Sequence, residues 1–180
     1  VELPCGHAYC GTCLADLRSK GVGQACPLCR GELPPGVEGL HELAWRMNKR
    51  IEGMVKRDEA SWASLAAAEQ EEMEEVVAMW TEAAAQGHWG AQFGLGLIYA
   101  EGMGVTRDVD RAIELYTQSG LQGGANAYYI LGILLDERKD VDGAEKAFRA
   151  AIEANPGYAV AHHNLGNLLY HERKDVDGAE

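Results

Sequence analysis

The chain has 180 residues, 28 of them acidic and 16 basic, for a net charge of −12. An acidic body of this kind excludes nucleic acid as a partner, because neutralising phosphates needs a basic surface. No apolar run is long enough to span a bilayer, so the sequence predicts a soluble protein of one or two domains, intracellular and either cytoplasmic or nuclear. The acidity is uneven, since residues 61–86 carry six Glu and no Lys or Arg.

In chain order, the first element concentrates metal-ligand chemistry. All five cysteines fall in one block, ordered Cys5-x-His7-x2-Cys10-x2-Cys13-x12-Cys26-x2-Cys29. Cys thiolates and His nitrogens at such spacing are the ligands of tetrahedral zinc, so zinc is the expected cofactor. Disulfide pairing is disfavoured by the odd cysteine count and the lack of a secretory leader pattern. A catalytic Cys–His pair is disfavoured because metal-bound thiolates are poor nucleophiles and no orienting third group is identifiable. The spacing leaves two ligand sets open. Cys10, Cys13, Cys26 and Cys29 could close an all-cysteine site, or Cys5 and His7 could take part.

The same order, ending in Cys26-Pro27-Leu28-Cys29, resembles the last six ligands of a RING finger, the zinc module of many ubiquitin ligases. The resemblance implies one complete site of Cys5, His7, Cys26 and Cys29. Cys10 and Cys13 would belong to a second site whose other two ligands lie upstream of Val1, so an N-terminal truncation is expected. It further implies a ubiquitin-conjugating enzyme as partner and a RING-type ubiquitin-protein ligase as the function. No catalytic side chain of the chain's own is expected. Pro27 stands where many ligase RINGs dock the conjugating enzyme. Arg30 stands where active members often carry a basic residue bridging that enzyme to ubiquitin, a role suited to the rigid donor fork of guanidinium. The bland reading of Arg30 is a solvated charge at the end of the module. Residues 14–20 lack the aromatic that many ligase RINGs carry there, which favours the alternative of a non-catalytic zinc-binding scaffold.

Pro34-Pro35-Gly36 closes the zinc block, and residues 37–72 read as a helical connector. Leu40, Leu43, Ala44, Met47, Ile51, Met54 and Val55 follow helical spacing, and a second stripe runs Trp62, Leu65, Ala66, Met73, Val76, Val77, Trp80. These stripes predict helices packed on each other and on the first repeat, with dimerisation as the alternative.

Residues 73–180 repeat themselves. Gly96, Gly132 and Gly166 recur within apolar stretches 36 and 34 residues apart, and Asp108, Asp140 and Asp175 each start an Asp-Val-Asp echo. A period near 34–36 with two helical patterns per unit predicts a helical solenoid. Residues 125–158 resemble a tetratricopeptide repeat through Tyr128, Leu131, Gly132, Leu135, Ala144, Phe148, Ala151 and Pro156. The unit from Ala159 repeats its first half. Residues 73–124 resemble the Sel-1-like subtype through Gly87, His88, Ala91, Leu95, Gly96, Tyr99, Gly102, Gly104 and Tyr116, with 73–86 as the second helix of an earlier unit. Each Asp-x-Asp is expected to cap a helix, since the six to eight oxygens of a calcium site are not in view. The whole reads as mostly α: a zinc-stabilised RING-like module at 1–36, the connector, and a solenoid whose last repeat is incomplete.

Substrate recruitment is expected on the repeats. In the last helix Ala161, Leu165, Leu168 and Leu169 form the packing face, while His163, Asn164, Asn167 and Tyr170 share another. Asn126, Tyr129 and Ile133 precede them in the previous unit. By the resemblance such positions line the peptide groove of tetratricopeptide repeats. With amides and aromatics but no Lys or Arg among them, the expected ligand is a peptide held without a carboxylate clamp. A solvated polar face is the alternative.

Overall fold

The computed structural model describes residues 35–57 and 59–177, with side chains as far as His171. Among them are α1 (Val37–Lys56), α2 (Ala67–Ala85), α3 (Trp89–Glu101), α4 (Val109–Gly120), α5 (Ala125–Glu137), α6 (Val141–Ala154) and α7 (Ala159–Asp177). Each helix packs on the next in sequence, the nearest-neighbour arrangement of a helical solenoid. The described residues hold no strand, only an isolated bridge between Ser61 and Ser64.

The apolar periodicity becomes three successive cores. Leu40, Ala44 and Ile51 of α1 meet Met73, Val76 and Trp80 of α2 and Ala91, Leu95 and Ile98 of α3. Tyr116 of α4 joins Ala100 to Leu131 and Leu134 of α5. Phe148 and Ala144 of α6 close on Leu168 of α7. The connector helices pack on each other and on α3, with α1 contributing directly to the first core, but Trp62, Leu65 and Ala66 of the second stripe precede α2, in the non-helical turn around the Ser61–Ser64 bridge.

The recurring glycines are contact points. A Cβ on Gly96 would stand 2.9 Å from Tyr116, and one on Gly132 would stand 2.6 Å from Phe148. Each glycine lets the aromatic of the following helix rest against bare backbone, well inside the roughly 3.5–4.0 Å of an ordinary carbon contact. Among the described residues nothing lies within 4 Å of the same position on Gly166.

Turns between helices use two devices. Gly102 takes φ 68° after α3, and its neighbour Met103 N–H donates to Ile98 O at 3.0 Å, a left-handed C-terminal cap. Lys139 takes the corresponding left-handed conformation at φ 64° after α5. The helices that follow are capped by Asp108, accepting from Arg111 N–H, and by Asp140, accepting from Gly143 N–H. The third echo behaves differently. Residues 172–177 continue α7, so Asp175 opens no helix. Their letters match 137–142 one for one. Placing a lysine in the left-handed region costs about 1–2 kcal/mol, and at 139 the burial of Phe148 against Gly132 offsets it. Glu, Arg and Lys otherwise favour helix continuation.

Candidate partner-binding groove

The residues singled out for partner binding sit on α5 and α7, the first helices of the last two repeats. Tyr129 organises the centre. Its hydroxyl accepts a hydrogen bond from Asn164 Nδ2 at 3.2 Å, linking α5 to α7. Its ring lies edge-on to Tyr158 at 5.4 Å and tilted against Phe148 at 6.2 Å. Burial, followed by the neighbouring Tyr129, pushes the Tyr158 phenol above its ordinary pKa. On α7, Asn167 and the His163 ring are in hydrogen-bond contact at 3.1 Å. Tyr170 is exposed beside His171.

Two cavities flank α5. One, of about 270 Å³, lies between the starts of α3 and α5, walled by Trp89, Phe93, Asn126 and Ala127, with Ser119 beneath. It is mainly apolar, and Trp89 at its edge is 55 % exposed. The other, of about 720 Å³, lies between α5 and α7. Ile133, Phe148 and Leu168 form its apolar floor, Asn164 and Asn167 supply amides, and Asp136, Glu137, Lys139 and His171 stand on its walls. The expected residues thus divide: Asn126 lines the first cavity, Asn164 and Asn167 line the second, and Tyr129 bonds across to Asn164. His163 and Tyr170 line neither. The sequence reading did not include Trp89, Phe93, Asp136, Glu137 or Lys139. The signal was present, because Ile133 and Glu137 stand seven and eleven positions after Asn126, spacings that return to one side of a helix of about 3.6 residues per turn.

A second polar cluster joins α1 to the repeats. His88 caps α3, its Nδ1 accepting from Ala91 N–H at 3.1 Å, so its Nε2 carries the proton and donates to Glu38 at 3.1 Å. The His41 ring stands 4.4 Å from that of His88 and stacks on Trp80 at 6.0 Å. Trp80 Nε1–H in turn donates to His41 O at 3.3 Å. Desolvation by burial, then the neighbouring His88, holds the His41 imidazole below its usual pKa.

Cys5, His7, Cys10, Cys13, Cys26, Pro27, Cys29 and Arg30 lie outside the described residues. Their fit to zinc rests on the donor set, whose thiolates and imidazole suit that ion. Among the described residues no group of three or more His, Cys, Asp or Glu is arranged to hold a metal, and no helix is long and apolar enough to cross a membrane.

Comparison with known proteins matches three segments to family models. Residues 1–29 match the C3HC4-type zinc finger (RING finger), 89–124 the Sel1 repeat and 131–180 the tetratricopeptide repeat. The chain therefore combines a RING-type zinc-finger sequence with a solenoid of Sel1 and tetratricopeptide repeats. Among curated proteins it is similar to the E3 ubiquitin-protein ligase TRIM65 of Homo sapiens, 50% identical over 44 residues, 24% of this chain and 8% of that one. The Mus musculus TRIM65 is 42% identical over 38 residues, 21% of this chain and 7% of that one. The match spans less than a tenth of either relative. Among solved structures, the Sel1 repeat protein from Oxalobacter formigenes superposes with a TM-score of 0.56 at 23% identity. That superposition covers 73% of this chain and 48% of the other, and it shows the shared fold.

Proposed function

We propose that the chain is a RING-type ubiquitin-protein ligase, or a segment of one, that recruits its substrate through the helical repeats. The observation that carries the reading is the six-ligand Cys/His spacing of residues 5–29, supported by the zinc-finger match over the same residues. The partial identity to a ubiquitin ligase points the same way. Zinc held by Cys5, His7, Cys26 and Cys29, with Cys10 and Cys13 as ligands of a second site, would fix the fold of the module without taking part in the chemistry. Pro27 would meet the conjugating enzyme, and Arg30 would pin it to ubiquitin by donating to both. The substrate lysine then attacks the ubiquitin thioester carbonyl, forming the isopeptide C–N bond as the C–S bond breaks and the thiol leaves. The module contributes orientation, which raises the rate by holding the reacting groups in an attack geometry.

A non-catalytic scaffold is the second reading, favoured by the absence of an aromatic in residues 14–20. Ubiquitin discharge from a preloaded conjugating enzyme separates the two. The ligase reading expects acceleration by the zinc-loaded protein, reduced by Arg30→Ala. A scaffold would bind partners through the repeats and leave discharge at the rate of the conjugating enzyme alone.

A further inference from the structure

The two cavities beside α5 open on one stripe of that helix. Asn126 lines the apolar cavity and Glu137 the polar one, and Ile133 between them lines the latter. Their spacing of seven and eleven positions keeps all three on the same side of the helix. At about 1.5 Å of rise per residue the cavities are about 16 Å apart along the axis. An extended peptide rises about 3.3 Å per residue, so about five residues cover that axial separation.

The chemistry of the two ends differs. The first cavity, of about 270 Å³, offers Trp89 and Phe93 to an apolar side chain. At the second, Asp136 and Glu137 have no ion-pair partner among the described residues, whereas Arg138 between Asp136 and the turn is engaged with Asp110. Among the described residues Lys139 is the one Lys or Arg lining that cavity, against the two carboxylates. The amides of Asn164 and Asn167 stand alongside, able to bond a peptide backbone. The net charge of −12 across the chain adds a field that draws basic segments.

We propose that α5 reads an extended peptide in which an apolar side chain, seated between Trp89 and Phe93, is followed or preceded about five positions away by a Lys or Arg held at Asp136 and Glu137. This rests on the reading that the repeats recruit a protein partner, and it specifies that partner's sequence character. It leaves a polypeptide rich in acidic residues as a poor ligand.

The test uses the full chain and a set of fluorescein-labelled decapeptides, each with one Phe and one Arg at separations from two to eight positions in an otherwise Ser/Gly sequence. Fluorescence anisotropy should give its tightest binding at a separation of four to six, weakening at least fivefold at two and at eight. Asp136→Asn with Glu137→Gln should weaken the best peptide at least fivefold and flatten its salt dependence. Trp89→Ala should weaken it similarly without altering the salt dependence. Helix content checked by circular dichroism guards against misfolding, since all three side chains are exposed. Binding indifferent to spacing, binding unchanged in the carboxylate variant, or no binding by any peptide of the set would each overturn the proposal. Ubiquitin discharge needs no groove ligand, so its failure would count against the ligase reading while leaving the peptide result standing.

Discussion

Gly132→Ala and Gly166→Ala should move stability in opposite directions, although both glycines sit in the same Leu-Gly setting one repeat apart. An alanine at 132 would bring its Cβ to 2.6 Å from two ring carbons of Phe148 and 3.0 Å from a third. The ring would have to retreat by about 1 Å to recover an ordinary carbon contact. It has little freedom to do so, being 1 % exposed and wedged between α5 and α7. Overpacking of this kind costs about 1–3 kcal/mol. Against it stands the better helix propensity of alanine, about 1 kcal/mol. With the contact made by a confined ring, the upper half of that range applies, so Gly132→Ala should destabilise by about 1–2 kcal/mol. At Gly166 no described residue lies within 4 Å, so only the propensity gain remains, up to about 1 kcal/mol. For a chain of this length about 2–4 °C accompanies each kcal/mol. Thermal melts followed by circular dichroism should therefore show Gly132→Ala lowering Tm by roughly 2–8 °C and Gly166→Ala raising it by up to about 4 °C. Adding Phe148→Leu to Gly132→Ala should recover part of the loss, because the two changes share one contact. Shifts of the same sign at both glycines, or full additivity with Phe148→Leu, would refute the idea that glycine makes room for the aromatic.

Four further outcomes follow from the same geometry. Stability should fall as pH drops below 6.5, the ordinary His value, because His41 resists protonation in the fold and the unfolded chain takes up the proton first. The loss accumulates down to the lowered native pKa, and urea midpoints at pH 7.5 and 5.5 should differ less in His41→Gln than in the parent. Asp140→Ala removes the cap that accepts from Gly143 N–H at 3.0 Å and should cost about 1 kcal/mol by urea titration. Trp80→Ala empties a buried site at the junction of α1, α2 and α3 and should cost about 3–5 kcal/mol, read as loss of the cooperative melt. Bound zinc, measured by elemental analysis, should fall in Cys5→Ser at least as far as in Cys10→Ser; retention of zinc in Cys5→Ser with loss in Cys10→Ser would favour the all-cysteine pairing.

The solenoid was legible because its signals are local and repeated. Gly96 and Gly132 recur one period apart inside apolar stretches, which marks the repeat; their partners Tyr116 and Phe148 stand 20 and 16 positions later, so the contacts themselves emerge only from the structure. Asp108 and Asp140 were likewise readable as caps. At Asp175 the structure differs, since letters identical to the turn at 137–142 lie within α7. The sequence reading also missed the acidic wall of the groove. Asp136 and Glu137 look like solvated helix-end charges until α7 is seen to enclose a cavity beside them. The pairing of His41 with His88 was equally hidden, since 47 positions separate them and only the docking of α1 on α3 brings the rings together.

Single-turnover discharge of ubiquitin from preloaded conjugating enzymes bears most directly on the proposed activity. The measurement uses the zinc-loaded protein. The account predicts discharge well above the rate of the conjugating enzyme alone, abolished by chelation of zinc and reduced by Arg30→Ala. Zinc-loaded protein that leaves discharge unchanged across a broad panel of conjugating enzymes would contradict it.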